Sequence, residues 1–172
     1  MNLSKTRNAI QGFFCVVVFI ALLGLADKVE ATPLDTEQHC LAANIYFEAG
    51  NQKSPGKFAV GLVTRNRVID TRWKANNICD VIKQRSLVKG QWICQFSWFC
   101  DGLADVVPNT PEEQEAYNES YFVAAVIIDN WHNIYDFTEG ANHYHHVTVD
   151  PWWVPAMTLL VQIQDHIFYK WV

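Results

Sequence analysis

The hydrophobic positions change period several times along the chain, and each change predicts an element. Leu41, Ala42, Ile45, Tyr46 and Ala49 recur at helical spacing behind Asp35 or Thr36, either of which can serve as N-cap. Gly50 is the expected stop, because glycine is at ease in the left-handed conformation that closes many helices. Glu48 therefore falls in the last turn, where the helix dipole disfavours a carboxylate. A second helix is expected from Ser54-Pro55, an N-cap followed by proline at N1, through Phe58, Ala59, Leu62, Val63 and Asn66 to about Ile69. Val81-Ile82 suggests a further helical turn. Residues 92–99 read as extended and aromatic, with a turn at Asp101-Gly102. Thr110-Pro111-Glu112-Glu113 combines N-cap, N1 proline and capping-box acid, and opens a helix that carries Ala116, Tyr117, Phe122, Val123, Val126 and Ile127 as far as about Trp131.

The last third has a different texture. Residues 140–149 are extended, polar and rich in histidine, and Pro151 and Pro155 bracket Trp152 and Trp153 in a loop. From Thr158 to Gln164 the positions Leu159, Val161 and Ile163 alternate as in a strand, and residues 166–169 are its expected hairpin partner. The pattern predicts an α+β fold, a helical domain with a small, mostly antiparallel sheet.

The N-terminus stands apart. Lys5 and Arg7 precede an uncharged run of 15 residues, Gly12 to Ala26. As a helix that run spans about 22 Å, short of the roughly 30 Å of hydrocarbon in a bilayer. Val29-Glu30-Ala31 fits a signal-peptidase site. The expectation is export, with residues 1–31 a signal peptide and residues 32–172 one mature catalytic domain. The alternative is an uncleaved anchor, which needs only that residues 8–12 slide into the membrane. Removing residues 1–31 takes three basic and two acidic side chains away, so the mature chain becomes more acidic by one charge.

Composition narrows the classes further. Of 172 residues, 50% are hydrophobic and 18% charged, which excludes a disordered chain. Lys+Arg number 13 against Asp+Glu 18 without a basic run, so no nucleic-acid partner is expected. Only the N-terminal segment is apolar enough to meet a membrane, and the mature domain is expected to be a monomer. Four cysteines, Cys40, Cys79, Cys94 and Cys100, remain after cleavage, an even number suited to disulfides in an oxidising compartment. Their spacing lacks the close pairs of zinc ribbons, and it leaves all three pairings open.

Three segments could converge on a groove: Tyr46-Phe47-Glu48-Ala49; Gln95-Phe96-Ser97-Trp98 with Asp101; and Asn142-His143-Tyr144-His145-His146. All seven tryptophans lie in the mature domain, and aromatic faces stack well on sugar rings. A carboxylic acid that protonates a glycosidic oxygen near neutral pH needs a raised pKa, which apolar neighbours such as Tyr46 and Phe47 supply. No second acid lies near Glu48 in sequence; Asp101 and Glu139 could approach only through folding. His143 and His145 would share one face of a strand and could ligate zinc with Asp150 or Asp101, which is the constellation of a zinc-dependent amidase.

In order, Ile45-Tyr46-Phe47-Glu48-Ala49, Val63-Thr64-Arg65-Asn66-Arg67-Val68, Ile78-Cys79, Cys94-Gln95-Phe96-Ser97-Trp98 through Cys100-Asp101-Gly102, Gly140-Ala141-Asn142-His143-Tyr144-His145 and His166-Ile167-Phe168-Tyr169 resemble the SleB-type cell-wall hydrolases, the spore cortex-lytic enzymes and their relatives. The resemblance spans most of residues 38–170. It implies a lysozyme-like domain that cuts peptidoglycan glycan strands without a cofactor or metal. Glu48 would be the catalytic acid, and Tyr46, Gln95, Ser97, Asn142, His143, Tyr144 and His145 would line the glycan groove. It also points to Cys79–Cys100 with Cys40–Cys94, since relatives with two cysteines tend to keep the first two of these positions. Three positions depart from the family pattern: Asn142 for Thr, Gln164 for a turn glycine, and Asn51-Gln52 for Gly-Glu. With one acid, the implied chemistry is that of a lytic transglycosylase. The rival classes are the zinc-dependent N-acetylmuramoyl amidase and a non-catalytic wall-binding module, against which the presence of Glu48 argues.

Overall fold

Helix α1 (Glu37–Ala49) is the axis of the domain. The structure, a computed structural model, describes residues 36–171; the expected export segment and Asp35 lie outside the described residues. Thr36 caps α1 by accepting from the His39 amide at 3.3 Å. Cys40 through Ile45 are buried without interruption, so α1 is covered on several faces rather than along one stripe. Three helices cover it: α2 (Ser54–Ile69), α3 (Ile78–Lys83) and α4 (Pro111–Asp129). Leu41, Ile45 and Ala49 meet Val60, Ile78, Val81, Ile82, Val123, Ala124 and Ile127 in the main core. Gly61 permits this closeness, because a Cβ there would stand 2.5 Å from Ile127 Cδ1 and 3.0 Å from Ile45 Cδ1.

Two expected helix ends are drawn differently. Gly50 is right-handed, at φ −57, and does not form a left-handed cap. Glycine is needed there for space, since a Cβ would lie 2.5 Å from the Tyr46 carbonyl oxygen. Ser54 is the first residue of α2 and not its cap; Lys53 holds the cap position without a side-chain cap. The Lys53 amide instead donates to Gln164 Oε1 at 3.1 Å. Gln164 sits at φ 53 in the turn between the last two strands. This explains why glycine suits that position, and what a glutamine adds: a bond that ties the hairpin turn to the start of α2.

The strands form two sheets. The first is a hairpin of β1 (Arg85–Val88) and β2 (Gln91–Cys94), closed by Lys89 at φ 50 and Gly90 at φ 81. Positive φ at both central residues is what a tight two-residue hairpin requires. Because β1 is exposed at every position, it has no inward-facing alternation to betray it in sequence. The expected extended run over residues 92–99 is cut short, because residues 97–100 wind into a 3₁₀ turn. Cys94 and Cys100 are bonded with Cα atoms 6.0 Å apart, whereas six extended residues would span about 20 Å.

The second sheet has the order β3 (His143–His146), β5 (His166–Lys170), β4 (Thr158–Ile163), antiparallel throughout. Phe168 of β5 packs with Ala59 and Val63 of α2 and with Ala141, which docks the sheet on the helices. The architecture is α+β, as the pattern indicates.

The disulfides are Cys40–Cys79 and Cys94–Cys100, so the expected pairing of Cys79 with Cys100 and Cys40 with Cys94 is corrected. Helices α1 and α3 are packed neighbours that bring Cys40 and Cys79 within 5.4 Å at Cα. Peptide mapping of the oxidised protein by mass spectrometry is expected to recover these two linkages; a Cys79–Cys100 peptide would contradict the fold around α3. Gly61→Val is expected to lower stability by about 1–3 kcal/mol through overpacking, read from the urea midpoint.

Candidate active site

A trench of about 940 Å³ opens where α1 ends, at the upper end of the size range of ligand sites. Tyr46, Phe47 and Glu48 of α1 form one wall, with Ser97 and Trp98 from the 3₁₀ turn. Glu112, Glu113 and Ala116 of α4 contribute a second, and Tyr144, His145 and His146 of β3 with His166 of β5 a third.

Glu48 accepts a hydrogen bond of 3.0 Å from the Tyr144 hydroxyl. Burial pushes the Glu48 carboxyl above the ordinary carboxylate range, while the Tyr144 bond and the Arg67 charge pull in the opposite direction. Burial, then the charge of Glu48, raises Tyr144 well above its usual value, so it remains a donor. On the same helix Tyr46 donates to Glu113 Oε2. Burial, then this bond and the Glu113 charge, lift Tyr46 to about 12.

Buried polar links fix the trench walls. Trp98 Nε1 donates to Asn44 Oδ1 at 3.0 Å, Asn44 Nδ2 to Thr64 Oγ1 at 3.1 Å, and Thr64 Oγ1 to the Val60 carbonyl at 3.2 Å. The Trp98 ring thereby stacks on Phe47 with centroids 4.6 Å apart. Asn66 Nδ2 donates to Asp136 Oδ2 at 2.8 Å and to the Ala141 carbonyl at 3.0 Å. Asp136 also accepts from the amides of Thr138 and Gly140, which brace the approach to β3. Arg67 Nε donates to the Asn142 carbonyl at 2.8 Å.

The family model described as Cell Wall Hydrolase matches residues 51–169, more than half of the chain. The chain belongs to the Cell Wall Hydrolase family. This cell-wall hydrolase is an enzyme that acts on peptidoglycan. The matched span begins just after Glu48 and takes in the other trench walls. No curated protein and no solved structure matches the chain.

Of the groove residues expected from sequence, the hydrolase brings Tyr46, Glu48, Ser97, Tyr144 and His145 together on the trench. Gln95, Asn142 and His143 do not line it. Gln95 is half-buried and its amide donates to the Gln84 carbonyl at 3.0 Å. Asn142 is a buried brace: Oδ1 accepts from the Trp171 amide at 2.9 Å and Nδ2 donates to Asp70 at 3.3 Å. His143 points to the other face of β3, among Trp73, Trp153 and Trp171. Burial, then the charges of Arg67 and Arg72, pushes it down to about 4. Asp101 and Glu139 stay outside the trench as well. Asp101 accepts from the Leu103 amide in its own turn.

Among the described residues no three His, Cys, Asp or Glu side chains form a group able to hold a metal ion. His145 lies with Nδ1 2.9 Å from the His146 carbonyl and Nε2 3.0 Å from the Tyr169 hydroxyl, so both ring nitrogens are engaged within the sheet. Sequence reasoning missed Glu112, Glu113 and His166 as trench residues, whereas His146 belongs to a segment expected to converge on the groove. The signal for Glu113 was present but ambiguous: as a capping-box acid it was expected to turn back on its own helix, and it bonds Tyr46 instead.

The raised pKa of Glu48 has a stability consequence. Its contribution is fully present below the unfolded-state value and is lost as pH rises through the folded-state value, because the fold then carries a buried carboxylate. Glu48→Gln removes that loss. Thermal melts are expected to show the variant gaining on the wild-type enzyme as pH rises from about 4 to about 8; a difference that does not change with pH would contradict the buried-acid geometry.

Proposed function

We propose that this cell-wall hydrolase cleaves the glycan strands of peptidoglycan with Glu48 as the acid and then the base, by a lytic transglycosylase-type reaction. The observation that carries the reading is a carboxyl group, raised by burial, in the wall of a trench lined by aromatic rings and histidines. Burial favours the neutral form of such an acid, the form that can donate a proton.

The protonated Glu48 gives its proton to the glycosidic oxygen as the C1–O bond breaks, and the bonding pair stays on that oxygen. The N-acetyl oxygen of the muramic sugar supports C1. The ionised Glu48 then takes the proton from O6 of the same sugar, and O6 closes on C1 to give a 1,6-anhydro end. Glu48 returns to its starting form without consuming water. Tyr144 holds the carboxylate between the two steps. Phe47 and Trp98 offer apolar surface to sugar faces, and Ser97 offers a hydroxyl at the trench edge.

Glu112 and Glu113 of α4 share the trench, so the acid is not solitary there as its sequence surroundings suggest. Glu113 is occupied by the Tyr46 hydroxyl, which supports its use as a wall group rather than a free base. A hydrolase with two working carboxylates would use one of these to hold water and would yield reducing ends.

Digestion of peptidoglycan followed by mass spectrometry is the test. The expected products carry anhydro-muramic ends, and Glu48→Gln is expected to reduce their rate by about 10²–10⁴-fold. Reducing muramic ends would replace transglycosylation by hydrolysis, and a fully active Glu48→Gln enzyme would remove Glu48 from the chemistry.

A further inference from the structure

The sheet wall of the trench carries an imidazole that the proposed reaction does not use. His166 opens β5, the middle strand of its sheet, and pairs with His146 of β3 on one side and Ile163 of β4 on the other. It lines the trench although only 5% of the residue is exposed. Its ring meets the Tyr144 ring edge-on with centroids 5.3 Å apart, and the Tyr144 hydroxyl donates to Glu48. The His146 ring stands perpendicular to it at 5.7 Å. Nδ1 of His166 is buried and has no hydrogen-bond partner among the described residues. A buried polar atom without a partner works against folding. An apolar side chain of similar volume would pack against Tyr144 and Phe168 without that cost. Packing therefore does not account for an imidazole at this position.

We propose that His166 is a substrate-binding residue of the trench, whose Nε2 forms a hydrogen bond with a hydroxyl or acetamido group of the sugar that lies beside Tyr144. The inference rests on the reading of this trench as the glycan site with Glu48 as its acid. Because Nδ1 is the sealed end of the ring, the part left to face the trench is the edge that carries Nε2. A cationic ring would bury an unpaired N–H at Nδ1. Burial, then the charge of His146, lowers His166, so the ring is neutral at pH 7. A neutral imidazole offers one nitrogen to an uncharged partner. That matches the sugar substituents of the glycan and not the carboxylates of its peptide stems, which call for a cation.

The position of His166 is tied to that of Glu48 through two routes. One is the Tyr144 ring. The other is the turn that leads into β5, which is bonded to the connection that follows α1. Gln52 Nε2 donates to Asp165 Oδ2 at 3.0 Å, and the Lys53 amide donates to Gln164 Oε1 at 3.1 Å. On the far side the Val147 amide donates to the Asp165 carbonyl at 2.8 Å. With strands on both sides and its turn clamped, His166 has little freedom left to lose when a glycan binds. The two glutamines that depart from the family pattern, Gln52 and Gln164, supply both clamps.

The test is steady-state kinetics on peptidoglycan for His166→Leu, His166→Gln and His166→Asn, with folding checked by circular dichroism. The side-chain amide of glutamine reaches the place of Nε2, and that of asparagine only the place of Nδ1. Leu is expected to lower kcat/KM by about tenfold, the worth of one hydrogen bond to substrate, with most of the change in KM. Gln is expected to restore most of the loss, and Asn to behave like Leu. A merely structural role would not separate Gln from Asn by which ring nitrogen each one replaces, and would not act through KM. An unchanged kcat/KM in the Leu variant, or Asn restoring as much as Gln, overturns the proposal. Where Leu does not fold, the comparison of Gln with Asn decides: equal KM values overturn the proposal, and a lower KM for Gln supports it. Activity retained in Glu48→Gln, by contrast, removes the underlying reading of the trench whatever the His166 variants show.

Discussion

The Tyr144 hydroxyl meets Glu48 across a sequence separation of 96 residues, and the geometry of the trench depends on that contact. For it to form, the last turn of α1 and the strand β3 must arrive at one point from opposite ends of the domain. Antiparallel pairing with β5 sets the register of β3, placing Tyr144 opposite Phe168. Phe168 is anchored on α2 beside Ala59 and Val63. Asn66 and Arg67, on the same helix, hold the carbonyls of Ala141 and Asn142 just ahead of the strand. Helix α2 thus serves as the ruler between the two halves of the site. The same packing removes water from the Glu48 carboxyl, so the forces that build the core also set its acidity.

A second polar chain does comparable work on the aromatic wall. Asn44 is fully buried in the middle of α1, where an unpaired amide would cost about 1–3 kcal/mol. Its bonds to Thr64 and from Trp98 remove that cost and give the indole one orientation. Trp98 can then lie flat on Phe47. A wall made only of apolar contacts would let the ring turn; the hydrogen bond gives it a direction. The disulfide Cys94–Cys100 closes the turn that carries Ser97 and Trp98, so the segment is held at both ends.

Much of this was legible in the chain. The helical spacing from Leu41 to Ala49, the cap at Thr110-Pro111 and the alternation of Leu159, Val161 and Ile163 correspond to α1, α4 and β4. Each of these elements carries a period or a capping residue that acts locally. The unusual location of Glu48 at a helix C-terminus was equally visible, because the dipole argument needs only the neighbouring residues. Of the β1–β2 hairpin only residues 92–94 fell in a run read as extended; β1 was not legible, because it is exposed at every position and an exposed strand needs no alternation. Nor were the disulfide partners, since spacing is silent on which helices pack. Gln95, Asn142 and His143 illustrate another limit. They sit in the segments that approach the trench, yet the Gln95 amide is paired with the Gln84 carbonyl, Asn142 is held by buried bonds, and the His143 ring packs against Trp73.

The sequence by itself determined the helices, the antiparallel hairpin at the C-terminal end, the aromatic supply and the acid at the end of α1, because these follow from interactions between residues a few positions apart. Only the tertiary structure decided that Glu112 and Glu113 share the trench, that Tyr144 rather than His143 reaches Glu48, and that Arg67 is buried in the core between Trp73 and Phe96. Those outcomes depend on which buried faces meet and on how much water their meeting expels, and neither quantity is defined until the whole chain has folded.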